Sequence, residues 1–201
     1  MNSELLMFFS VITSYLIGSI PFGLIFSRFF SNVDVRTIGS GNIGATNVLR
    51  ASGKTAAALT LVADALKGFL PVLMVQHLLN AETSTVLSGA AAVLGHNFPV
   101  YLKFKGGKGV ATSFGVILTV APWIGFISLL VWLAASILWR YSSLSALIAF
   151  ACYPALTFMD RPPSSKPYQA LSLFIFGMIY YRHRENIKRL LAGTEPKIGK
   201  K

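Results

Sequence analysis

The chain has 201 residues, 54% of them hydrophobic and only 12% charged, too little polar surface to coat a soluble globule of this length. Its net charge of +11 would suit nucleic acid, but the basic residues stand in short segments between long apolar runs. That arrangement favours anionic lipid and an anionic small substrate, with no nucleic acid, and the single cysteine, Cys152, excludes an internal disulfide framework.

Crossing the hydrocarbon takes about 20 apolar residues in a helix. The first such run, 5–26, follows Glu4 and precedes Arg28, flanks opposite to those of a secretory signal, and reads as a retained span. A polar segment, 36–54, comes next. Within it Gly39, Gly41 and Gly44 allow backbone N–H groups to turn toward an anion, and a helix starting near Ala45 adds its positive end. Ser40, Asn42 and Asn47 supply neutral hydrogen-bonding groups, and Arg50 can grip a phosphate through two parallel bonds. Ser52-Gly53-Lys54-Thr55 imitates the end of a nucleotide P-loop, but Val48 stands where that pattern needs glycine and no strand precedes it.

The second span is placed at 56–79 and carries Asp64 and Lys67, three residues apart and hence neighbours on one helix face. Buried charges in lipid face the bundle interior, so an internal ion pair is expected. A third span, 85–102, brings His96 and Asn97 toward its inner end, where an imidazole can donate to phosphate or carry a proton. It leads into Lys103-Phe104-Lys105-Gly106-Gly107-Lys108-Gly109. Glycines beside ammonium groups at a helix N-terminus make a cradle for a dianion.

The remaining spans are expected at 110–120, 124–139, 144–159 and 168–181, with Pro122 and Trp123 dividing the longest apolar stretch into an antiparallel pair. The tail opens with His183, Glu185 and Asn186. Placing the N-terminus outside puts every basic residue except Lys67, Arg161 and Lys166 on the inner side, the arrangement that positive loops favour. The expected fold is therefore all-α: a single integral membrane domain over 1–201, a bundle of seven transmembrane helices, N-terminus outside and C-terminus cytoplasmic. The segments 36–54, 96–109 and 182–199 then emerge on one face. No metal-spaced Cys/His cluster, aspartate-rich phosphotransferase motif or Gly-x-Ser-x-Gly elbow occurs, so neither metal nor cofactor is expected. Acyltransferases of the His-then-Asp type need Asp five residues after His; here Tyr101 follows His96 at that distance.

With GSGNIGATNVLR at 39–50, GHNFPVYLKFKGGKGVAT at 95–112, RHRENIKRL at 182–190 and Asp64-Ala65-Leu66-Lys67-Gly68 between, the chain resembles the bacterial membrane glycerol-3-phosphate acyltransferases that use acyl phosphate as donor. The resemblance implies transfer of a fatty acyl group to glycerol 3-phosphate, giving lysophosphatidic acid and inorganic phosphate, in the cell inner membrane with the site on the cytoplasmic side. It places catalytic contacts on Ser40, Arg50, Lys108 and Asn186, with His96 and Glu185 nearby. Phosphate and glycerol contacts fall on Gly41, Asn42, Asn47, Gly106, Gly107 and His183. The expected partners are glycerol 3-phosphate, acyl phosphate and membrane lipid, the enzyme being a monomer. An organic-phosphate transporter is the alternative, but transporters favour a midplane site between repeated halves, and no repeat is visible.

Overall fold

The structure, a computed structural model, describes residues 3–160 and 164–199; Arg161, Lys200 and Lys201 of the basic inventory lie outside the described residues. Among them the chain is helical, without strands: α1 (Ser3–Gly18), α2 (Phe22–Ser31), α3 (Ala45–Leu79), α4 (Glu82–Asn97), α5 (Val110–Val120), α6 (Pro122–Trp139), α7 (Ser142–Met159), α8 (Lys166–Arg182) and α9 (Arg184–Leu191).

Burial runs opposite to that of a soluble bundle. Leu66, Leu70, Met74 and Leu78 of α3 and Leu130, Leu133 and Ile137 of α6 are exposed, whereas Ser14, Thr60, Asp64, Lys67, Ser88, Asn97 and Thr112 are buried. Apolar side chains on the outside and polar groups in contact with one another inside is the pattern of helices solvated by hydrocarbon. Among the described residues four helical stretches have the length and apolarity to cross a membrane: Ser3–Ser31, Ala45–Leu79, Pro122–Trp139 and Ser142–Met159. Val110–Val120 is apolar but shorter.

Several expected spans are redrawn. The run 5–26 is not one uninterrupted helix: α1 stops at Gly18 and α2 begins at Phe22, because Pro21 has no N–H to continue the ladder. The Ile20 carbonyl freed at that break accepts a hydrogen bond from Lys67 Nζ at 2.7 Å. The span placed at 56–79 begins eleven residues earlier, at Ala45, and is kinked at Gly53, whose φ of 84° suits glycine. The span placed at 85–102 ends as an α-helix at Asn97, and Val100–Leu102 forms one tighter turn. Pro122 does divide α5 from α6, as its missing donor requires.

Helix α3 is the spine, packing on α1, α2, α4 and α5. Its approach to α5 depends on small residues: a Cβ at Gly68 would strike the Thr112 carbonyl and one at Gly115 the Ala65 carbonyl. Without a hydrophobic drive between helices in lipid, such close backbone contact supplies the packing energy. Val72, Val93, Phe114, Ile117, Phe150, Tyr153 and Ile175 fill the main core, and a smaller cluster of Leu24, Val35, Ile43, Val48 and Ala56 lies beneath the first polar segment.

Candidate active site

The first segment is built around one amide. Asn47 Nδ2 donates to the carbonyls of Val35, Ile38 and Asn42, each at 2.9 Å, and its Oδ1 accepts from the Ser40 N–H at 3.0 Å. Gly39 and Gly41 take left-handed φ values of 57° and 66°, so the loop can close around that side chain. Asn42 Oδ1 accepts from the Gly44 N–H at 2.9 Å, and α3 starts one residue later.

The second segment lies against the end of α4. A Cβ on Gly106 would meet the His96 carbonyl, and one on Gly107 would meet His96 Nε2, so only glycine allows this approach. The Gly107 N–H donates to the His96 carbonyl at 3.0 Å. On its other side, Arg182 donates through Nε to the Gly107 carbonyl at 2.9 Å and through Nη2 to the Gly106 carbonyl at 2.7 Å. Lys108 and Gly109 then enter α5.

The third segment folds back on itself. Glu195 accepts from Ser143 Oγ and Asn186 Nδ2 through Oε1, both at 2.6 Å, and from Arg189 Nε through Oε2 at 2.8 Å. The Ile198 N–H donates to the Arg140 carbonyl at 2.6 Å, and Lys197 Nζ lies 5.5 Å from the centre of the Tyr141 ring, so residues 195–198 strap the tail across the α6–α7 junction.

These three segments and the α7 N-terminus enclose one cavity of about 340 Å³. Its wall carries Ser40, Asn42, Arg50, Lys108, His183, Asn186, Arg189 and Glu195 together with apolar Ala57, Ala58, Leu61, Val110, Ala111 and Trp132. Asp64 and His96 also reach it. Asp64 Oδ1 is 2.7 Å from Lys67 Nζ and 3.7 Å from His96 Nδ1, so the ion pair expected from the sequence is present and buried.

The cavity wall carries three permanent or titratable cations, Arg50, Lys108 and Arg189, against two carboxylates, Asp64 and Glu195. Among the described residues Arg50 and Lys108 have no ion pair or hydrogen-bond partner for their charged heads. Burial pushes the Lys108 ammonium down to about 8; Glu195 opposes that shift, while Arg189, Arg182 and Arg50 add to it. Burial, with Lys108 adding, pushes the His183 imidazole down to about 4, so it is neutral at pH 7. For Glu195 burial acts upward, but the hydrogen bonds from Ser143, Asn186 and Arg189 outweigh it and hold the carboxyl below its ordinary range.

Of the residues named from the sequence, Ser40, Asn42, Asn47, Arg50, His96, Lys108, His183 and Asn186 border this cavity, and Gly41, Gly106, Gly107 and Glu185 do not. Gly41 turns the first loop from behind. Gly106 and Gly107 form the back of the second loop, their carbonyls turned to Arg182 rather than their N–H groups to a ligand. Glu185 is exposed on α9 beside Lys188 and Arg184; Asn186 faces the cavity, and adjacent helix positions diverge by about 100°. Asn47 touches the cavity, yet its amide is spent on backbone groups, so it shapes the loop. Beside Asp64, the carboxylate that borders the cavity is Glu195. Its signal was its place in the third polar segment, overshadowed there by basic residues. Arg189 and Ser143 were also missed; the Ser142-Ser143 pair before an apolar run marks a helix start facing the same side.

Among the described residues no group of three His, Cys, Asp or Glu side chains is placed to hold a metal.

A family model described as glycerol-3-phosphate acyltransferase matches residues 8–193. A glycerol-3-phosphate acyltransferase of Caulobacter vibrioides is 53% identical over 195 residues, covering 96% of this chain and 88% of that protein. One of Dinoroseobacter shibae is 49% identical over 190 residues, covering 94% and 92%. The crystal structure of PlsY (YgiH), an integral membrane glycerol 3-phosphate acyltransferase, in its glycerol 3-phosphate form matches this fold with a TM-score of 0.90 at 43% identity, covering 96% of both chains. Its lysophosphatidic acid form matches with a TM-score of 0.88 at 42% identity, covering 96% of this chain and 95% of that one. With the family model spanning nearly the whole chain and relatives about half identical along it, this integral membrane protein belongs to the glycerol-3-phosphate acyltransferase family.

Proposed function

We propose that this chain transfers a fatty acyl group from acyl phosphate to glycerol 3-phosphate, forming lysophosphatidic acid and inorganic phosphate at the cytoplasmic face of the bacterial inner membrane. The observation that carries the reading is a single cavity whose wall joins the unpaired cations Arg50 and Lys108 to a set of apolar side chains. An acyl phosphate has that polarity, and so does the product.

Ser40, Arg50 and Lys108 bind phosphoryl oxygens, with Asn186 and Arg189 beside them. Cations already fixed in place gain little charge-reorganisation cost as the oxyanion develops. The acyl chain lies along Ala57, Ala58 and Leu61 of α3, and the exposure of Ala58 and Leu61 makes that side open to lipid. Attack by a glycerol hydroxyl forms the ester C–O bond and breaks the bond between acyl carbon and phosphate oxygen. The departing phosphate takes the hydroxyl proton and leaves as hydrogen phosphate. This route needs no residue base, which suits a site where Glu185 is outside the cavity and Glu195 is held ionised by three donors. Alignment of donor and acceptor supplies roughly 7 to 11 kcal/mol of the barrier reduction.

In the bilayer, α1 and α3 through α8 serve as the seven spans, with α2 and α9 at the surface and the N-terminus outside. Parity supports this: the three polar segments border one cavity, so they share a side. A monomer holds the complete cavity.

The deciding measurement mixes purified protein with labelled glycerol 3-phosphate and palmitoyl phosphate, without coenzyme A or divalent metal. Lysophosphatidic acid is the expected product, and its absence rejects the donor assignment.

A further inference from the structure

We propose that Arg182 is a positioning residue for the acyl-transfer reaction: its guanidinium clamps the Gly106-Gly107 turn and thereby aims Lys108 and the start of α5 at the substrate phosphoryl group. The inference rests on the acyltransferase reading above.

The turn cannot stiffen itself. Gly106, Gly107 and Gly109 occur within four residues, and glycine loses more freedom on ordering than any other residue. Yet glycine is required at Gly106 and Gly107, since a Cβ at either would collide with His96. Rigidity therefore has to come from outside the loop, and Arg182 is placed to give it. Two consecutive carbonyls meet two nitrogens of one planar fork, at 2.7 and 2.9 Å. The same guanidinium lies 5.3 Å from the centre of the Phe98 ring, just past the end of α4. One side chain thus ties α8 to the turn and to the α4 terminus.

Peptide planarity converts this into direction. In a trans peptide the carbonyl and the following N–H point opposite ways. With the Gly106 carbonyl fixed on Arg182, the Gly107 N–H must point away from it, and it does so, onto the His96 carbonyl at 3.0 Å. With the Gly107 carbonyl fixed likewise, the plane that starts at the Lys108 N–H is set, and with it the path into α5. Arg182 directly precedes His183 and stands four residues before Asn186, both of which border the cavity. The clamp therefore also holds the second and third segments in register.

A lysine at this position keeps the charge but has no planar fork and cannot hold both carbonyls in the same geometry. The test compares Arg182→Lys and Arg182→Ala with the parent protein, purified in detergent. It measures melting temperature, glycerol 3-phosphate binding by calorimetry, kcat and KM, and rescue of Arg182→Ala by added methylguanidinium. Arg182→Lys is expected to melt near the parent temperature with kcat/KM lower by roughly tenfold or more, the scale of one lost charge-assisted hydrogen bond. Weaker glycerol 3-phosphate binding should accompany it, and methylguanidinium should restore part of the activity of Arg182→Ala. A folded Arg182→Lys with parental binding and kcat/KM overturns the proposal. So does loss of activity that only follows loss of melting temperature and is not rescued by methylguanidinium. If Arg182→Ala does not fold, Arg182→Lys alone decides. A parent protein that makes no lysophosphatidic acid would instead refute the functional reading.

Discussion

Asn186 Nδ2 meets the Glu195 carboxylate at 2.6 Å, joining α9 to the strap formed by the tail. Ser143 and Arg189 complete the hold on the same carboxylate. This contact set links α7, α9 and the tail beside the cavity.

Replacing Glu195 by Ala should therefore release the strap and leave Asn186 and Arg189 unaligned. A hydrogen bond to a charged group contributes about 1.5 to 3 kcal/mol. The expected result is a lower melting temperature together with reduced kcat/KM. Because the folded Glu195 carboxyl is held below its unfolded value of about 4.3, its stabilisation is complete above that pH and is lost as pH falls toward the folded value. Thermal melts between pH 3 and 6 should show a larger loss in the parent than in Glu195→Gln, the difference being the part due to this carboxylate.

If the proposed function holds, Lys108 should set the alkaline limit of substrate capture. Only its protonated form attracts phosphate, and burial has brought its proton affinity down to about 8. The kcat/KM for glycerol 3-phosphate should fall as pH rises through that value, while the substrate phosphate, with its second pKa near 6, sets the acid side. Lys108→Arg should move the alkaline limb upward, because guanidinium stays charged. An unchanged limb would remove Lys108 from the binding role.

Asp64 and Lys67 form a buried pair 2.7 Å apart, with Lys67 also holding the Ile20 carbonyl at the α1–α2 break. Taking away one partner strands the other charge, at a cost of about 3 to 5 kcal/mol. Asp64→Asn or Lys67→Met alone should destabilise strongly, and the double substitution less than the sum of the two. A melting-temperature double-mutant cycle measures the coupling.

Gly107→Ala should force the turn away from the His96 ring. A displacement near 1 Å at a reacting group costs about a hundredfold in rate. Gly177→Ala, where a Cβ meets nothing within 4 Å, is the matched control and should leave kcat/KM at the parent level.

Much of this was legible in the sequence for a definite reason. In hydrocarbon the backbone has no partner but its own helix, so long apolar runs fix helices, and the polar segments between them fix where chemistry can occur. Ser40, Arg50 and Lys108 could be named because glycine and cation together form a local anion signal, whereas Asn186 was named through the family resemblance. The Asp64 and Lys67 pair could be named from helical spacing alone.

What only the tertiary structure decided concerns partners distant along the chain. At the break by Pro21 the Ile20 carbonyl accepts from the Phe22 N–H and also from Lys67, far along in α3. Which of the adjacent Glu185 and Asn186 faces the cavity depends on how α9 rotates against the bundle. Glu195 becomes part of the site because Ser143, 52 positions earlier, reaches it together with Asn186 and Arg189. Local propensity and hydropathy act over a turn or two of helix, but a hydrogen bond demands a donor and acceptor within about 3 Å. That condition is met or missed only when the helices pack.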